Sequence, residues 1–107
     1  MKLPQPVQAY FDAEKNNDDK ALVLAFSSEG EVNDEGQTYT GRQAIGDWWR
    51  AIKAQLDYTV ELGKAPEAGE VIKVHGTVSG NFKGSPVSRT FSFRLLGYQI
   101  RSLAITE

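Results

Sequence analysis

Three polar side chains stand where the hydrophobic pattern calls for apolar ones: Tyr10, Asp34 and Arg89. Tyr10 falls on the apolar stripe of an N-terminal helix. Asp34 shares a strand face with Val32, and Arg89 shares one with Phe91 and Phe93. A buried charge has to be paired, hydrogen-bonded or neutralised, so three such groups aimed at one interior can build a pocket. Their chemistry is complementary. A carboxylate in a dry cavity can take a proton from carbon or from water, while a phenol and a guanidinium can steady the oxygen that becomes negative. Each also has a plainer reading. Tyr10 can be a core aromatic with its hydroxyl at an edge, Asp34 can bond only to turn backbone, and Arg89 can reach water along its stem. Asp34 and Arg89 can equally form a structural ion pair. Trp48, Trp49, Tyr58 and Phe91, all on inward phases, are the candidates for the pocket wall.

Other chemistries find little footing. His75 is the single histidine and keeps phase with Lys73 and Thr77, which puts it on the outer face. With one histidine, no cysteine and scattered acids, no metal site is expected. No phosphate-cradling glycine loop, dinucleotide fingerprint or Ser-His-Asp set is present, so no cofactor is called for.

The elements that must position these residues follow from periodicity. Leu3, Val7, Tyr10, Phe11 and Glu14 form one helical stripe, with Pro4 and Pro6 suited to its first turn and Asn16–Asn17 ending it. Asp18 or Asp19 can cap a second helix reaching Phe26. A turn is expected over Ser27–Gly30, then a short strand over Glu31–Glu35 that Gly36 ends. Thr40-Gly41-Arg42-Gln43 fits a capping box for a third helix. Its inner side carries Ile45, Trp48, Trp49, Ile52 and Leu56, and its outer side Arg42, Asp47, Arg50 and Lys53. From Asp57 the period becomes two. Tyr58–Leu62, Ile72–Val78, Val87–Leu95 and Tyr98–Thr106 read as antiparallel strands, with loops over Gly63–Gly69 and Gly80–Pro86. A phase slip between Ile100 and Leu103 predicts a bulge. Helices in one half and strands in the other make an α+β fold with the helices on one sheet face.

Length and composition narrow the field. The chain has 107 residues, 40% hydrophobic and 24% charged, with a net charge of −2 and no basic run. One domain spanning 1–107 is expected. Nucleic acid is not an expected partner. Neither is a membrane, since no apolar run nears the ~20 residues that span a bilayer. The absence of an apolar leader near the start favours a cytoplasmic protein.

The segments VQAYFDAEKNNDDKALVLAF, EVNDEG and YTGRQAIGDWW, in that order, resemble the nuclear transport factor 2-like superfamily, in particular its SnoaL-like and ketosteroid isomerase-like branch. The resemblance implies a cone-shaped α+β barrel, in which a strongly curved, mostly antiparallel sheet holds three helices in its concave face. It also implies a homodimer formed through the sheet. Asp34 matches the isomerases' general base and Tyr10 their oxyanion-stabilising tyrosine; those enzymes add a second, protonated acid. Arg89 occupies the position expected for that acid. A permanently charged guanidinium cannot donate as a neutral acid does, which speaks against steroid isomerisation and for an anionic ligand. The expected function is therefore an isomerase-, cyclase- or hydrolase-like pocket with Asp34 as acid/base. Two alternatives stand beside it: a non-catalytic module for a small anionic ligand, and a dimeric interaction scaffold that uses the outer sheet face.

Overall fold

The computed structural model describes residues 3–63 and 69–107. Helix α1 (Gln5–Asn16) and helix α2 (Asp19–Leu24) form a hairpin, closed by Asn17 in the left-handed conformation. Asp18 is the cap of α2; its carboxylate accepts from the Ala21 amide at 3.1 Å. Helix α3 (Arg42–Gln55) is flanked by six strands, β1 (Phe26–Asp34) and β2 (Gln37–Thr40) before it and β3 (Tyr58–Leu62), β4 (Ile72–Gly80), β5 (Val87–Leu96) and β6 (Gln99–Thr106) after it. They form one sheet in the order β2-β1-β6-β5-β4-β3, antiparallel except for the β1–β6 pair. Three helices against a mostly antiparallel sheet give the expected cone-like α+β fold.

Four local expectations are corrected. The second helix stops at Leu24, and Phe26 begins a strand rather than ending a helix. Ser27–Gly30, expected as a turn, is part of β1. Its register along β6 breaks between Phe26 and Glu31, which hid the strand from a period-two reading. Beyond Asp34 the chain does not simply leave the sheet. Glu35 and Gly36 have φ of 51° and 77°, the positive pair of a type I′ hairpin turn, and Gln37–Thr40 returns as an edge strand. The capping box does not form: Gly41 is the cap without a side-chain bond, and Gln43 Nε2 instead donates to Asp47 at 3.1 Å. Of the hairpin loop expected over Gly63–Gly69, residues 64–68 lie outside the described residues.

The bulge in the last strand is present. Arg94 pairs with Ser102 and Leu95 with Ile100, leaving Arg101 as the extra residue, so Ile100 and Leu103 can both be fully buried. With Val7, Leu22, Phe26, Val32, Ile45, Val74 and Phe93 they form the innermost core, all at 0% exposure. Each such side chain contributes about 1.5–3 kcal/mol of burial. Arg42 ties α3 to β1 by donating from Nε and Nη2 to the Phe26 carbonyl, at 3.1 and 2.8 Å. No described helix is long and apolar enough to cross a membrane.

Candidate functional site

Between the helices and one end of the sheet lies a cavity of about 600 Å³. Tyr10, Asp34, Trp48, Tyr58, Arg89 and Phe91 all reach it. Trp49 does not. Adjacent residues on a helix point about 100° apart, so Trp48 faces the cavity and Trp49 turns towards α1.

Asp34 owes its place to the β1–β2 turn. It is the last residue of β1, pairs with Gln37 across the hairpin, and is held at the cavity by a bond from Trp48 Nε1 to Oδ2 at 3.1 Å. Its other oxygen, Oδ1, has no partner among the described residues. Tyr10 is 2% exposed and sits edge-on to Phe11, Phe26 and Phe93, with centroid distances of 5.1, 6.0 and 5.6 Å. Those rings fix the phenol while its hydroxyl reaches the cavity without a hydrogen-bond acceptor among the described residues. Burial raises the Tyr10 pKa well above a phenol's usual value, and the charges of Glu14 and Asp34 add to the effect. The site thus presents a held carboxylate with one free oxygen and a neutral phenol with a free proton.

Arg89 does not pair with Asp34. Sheet register explains the gap: Asp34 lies beside Ile105, Ile105 beside Phe91, and Arg89 is two residues further along β5. Two strand spacings across and two residues along separate the Cα atoms by roughly 12 Å measured over the sheet. The Arg89 guanidinium donates to the carbonyl of its neighbour Ser88 at 2.9 Å. No carboxylate among the described residues pairs with it.

Sequence reasoning passed over Glu14 and misplaced Lys53. Glu14 closes the stripe that begins at Leu3, one turn after Tyr10, and is only 8% exposed. Trp49 Nε1 donates to its Oε2 at 2.6 Å. Lys53 Nζ lies 2.7 Å from Oε1, a charge contact rather than an aligned hydrogen bond. Lys53 was expected on the outer side of α3. Its side chain is 19% exposed, with Nζ 4.0 Å over the Tyr58 ring and 5.4 Å from the Trp49 ring. Two i, i+4 pairs therefore face each other, Tyr10/Glu14 on α1 and Trp49/Lys53 on α3. Tyr58 completes the cluster. Its phenol's pKa is raised first by burial and then by the nearby Glu14 carboxylate. The signal for Glu14 was an acid at an inward position of an otherwise apolar stripe, the same irregularity that marks Asp34.

His75 lies on the outer face, exposed, with Nδ1 3.2 Å from the Thr90 hydroxyl. Among the described residues no group of three His, Cys, Asp or Glu side chains could hold a metal ion.

The comparisons with known proteins agree with this architecture. The model of the SnoaL-like domain matches residues 7–100. A proposed polyketide cyclase from Sinorhizobium meliloti is 39% identical over 97% of this chain and 95% of its own, with a TM-score of 0.93. A protein of ketosteroid isomerase-like fold from Catenulispora acidiphila, solved with trimethylamine, is 26% identical over 99% of this chain and 87% of its own, at 0.84. A Mycobacterium tuberculosis protein in complex with estradiol-17β-hemisuccinate shares the fold at 16% identity and 0.79, over 97% of this chain and 93% of its own. No curated protein matches in sequence.

Proposed function

The chain belongs to the SnoaL-like domain family, and from that premise we propose that its cavity binds a small carbonyl compound and moves a proton on it, with Asp34 as the base. One observation carries this reading. One Asp34 oxygen and the Tyr10 hydroxyl, neither with a partner among the described residues, open on the same space, walled in part by Val60, Phe91 and Ile105. The resemblance of the chain to a proposed polyketide cyclase supports the same direction.

In this mechanism Asp34 Oδ1 takes a proton from the carbon next to a carbonyl while Trp48 Nε1 keeps the carboxylate in place through Oδ2. Negative charge moves to the carbonyl oxygen, where the Tyr10 hydroxyl donates a hydrogen bond. Because burial keeps that phenol protonated, it serves as a donor over the whole physiological range. The proton returns to the substrate at the same or another carbon, which is the common step of isomerisation and of carbon–carbon ring closure. Phe91, Val60 and Ile105 supply apolar wall that keeps competing water away.

The test uses β-tetralone, a small bicyclic ketone with acidic hydrogens at the benzylic carbon beside its carbonyl. Deuterium uptake at those carbons, followed by NMR, should exceed the buffer rate in the native protein. It should fall by about 10²–10⁴-fold in Asp34→Asn, with an unchanged melting temperature. Native-level exchange in Asp34→Asn would remove Asp34 from the reaction. β-Tetralone that raises the melting temperature without exchanging would leave a binding module instead. Homodimeric assembly through the outer sheet face and residence in the cytoplasm belong to the same reading; a solution mass and cell fractionation test them.

A further inference from the structure

Arg89 is the cation lining this cavity, and no acid among the described residues neutralises it. Among the described residues Arg50 pairs with Asp19 and Asp47, Lys53 with Glu14, and Arg94 with Glu70. Arg89 has only the Ser88 carbonyl, which uses one of its five N–H donors. Glu107 shares a small outer cleft of about 140 Å³ with it, together with His75 and Thr90, yet forms no ion pair with it. A half-buried guanidinium with a free fork is built to receive a planar anion.

Its position is as informative as its charge. The Cα atoms of Arg89 and Asp34 are roughly 12 Å apart over the sheet, and the Arg89 guanidinium bonds the Ser88 carbonyl rather than reaching towards Asp34. The wall between them is apolar, made by Phe91 and Ile105 with Val78 and Val87 nearer Arg89. At the other end Asp34 and Glu35 would repel an anion. The cavity is therefore polarised: acceptor and phenol at one end, apolar middle, cation at the other.

We propose that this cavity takes an elongated keto acid, its carboxylate on Arg89 and its carbonyl at Tyr10 and Asp34. This deepens the proposed function and rests on it only for which end carries the carbonyl. Arg89 sets which molecules bind and in which direction, and takes no part in the proton transfer.

The probes are benzoylpropionate, benzoylbutyrate and benzoylpentanoate, each with its methyl ester. Binding is read by calorimetry and tryptophan fluorescence at low salt. The acids should bind at least tenfold more tightly than their esters, about 1.4 kcal/mol, and the advantage should grow with chain length until the span is matched. Arg89→Ala should erase the advantage and leave ester affinity unchanged. Arg89→Lys should keep part of it, because an ammonium supplies charge without the fork. Equal binding of acid and ester to the native protein would overturn the proposal. So would an acid preference that survives Arg89→Ala, or an equal loss of both ligands in that variant. Failure of the proposed function is separable: Asp34→Asn should lose proton exchange and keep the preference for acids. If the native protein prefers acids but exchanges no protons, the anion site stands and the acid/base role of Asp34 falls.

Discussion

Two oppositely charged pairs line or back this cavity, and they have opposite fates. Glu14 on α1 and Lys53 on α3 meet at 2.7 Å, with Trp49 bonded to the same carboxylate and Tyr58 under the ammonium. Asp34 and Arg89 sit on sheet positions that the register keeps apart, and neither finds a counter-charge among the described residues. The first cluster has its charges satisfied and serves the fold. The second has unsatisfied donors and acceptors facing open space and is available to a ligand. The difference does not come from residue type. It comes from whether the backbone lets the two groups meet.

The contrast can be broken most severely at the closed cluster. Glu14→Ala strands Lys53 and the Trp49 N–H, and should cost about 3–5 kcal/mol, read as a lower denaturant midpoint. The double variant Glu14→Leu/Lys53→Met should recover most of that loss, because apolar replacement removes both desolvated charges at once. A double variant no better than Glu14→Ala would mean that the cluster does more than satisfy itself.

Alkaline pH acts on the same region. Burial raises the folded-state pKa of Tyr10 and Tyr58 above the ordinary phenol value. Below about pH 10 both states hold the protons and stability is unaffected; above it only the unfolded chain releases them. Stability should therefore fall with rising pH, by up to about 2.7 kcal/mol per pH unit when both phenols contribute. Tyr58→Phe should shallow that slope in a melting series from pH 9 to 12, and an unchanged slope would count against a neutral Tyr58.

Effects at the open pair should be smaller on stability and larger on chemistry. Tyr10→Phe keeps the ring contacts and loses a donor that has no acceptor among the described residues, so its melting temperature should hold within a few degrees while β-tetralone exchange falls about tenfold or more. Asp34→Ala should cost about 1.5–3 kcal/mol at most, the value of one hydrogen bond from Trp48 to a charged group. A loss as large as that of Glu14→Ala would place Asp34 with the structural cluster and end the contrast.

Much of this was legible before any coordinates. The helical stripe from Leu3 to Glu14, the third helix, the alternating strands and the bulge near Arg101 all follow from local spacing, which is what a period reports. The edge strand Gln37–Thr40 was hidden because it is short and mostly exposed, with only Tyr39 turned inward to mark a phase. The capping box failed because Gly41, at φ 89°, takes a cap conformation that no side chain completes. Lys53 was misplaced because a lysine stem can lie along apolar surface, and its head here found a buried acid on another helix.

The sequence by itself determined that Tyr10, Asp34, Glu14 and Arg89 point inward, because the direction of a side chain follows from the 3.6 and 2.0 periods of the backbone. Only the tertiary structure decided which of them meet. Side chains from α1 and α3 joined Glu14 to Lys53 and Trp49, and the parallel β1–β6 pairing put Asp34 on the rung of Phe91, two residues along β5 from Arg89. Pairing depends on strand order and register, which bring together residues far apart in the chain, and no local period encodes them.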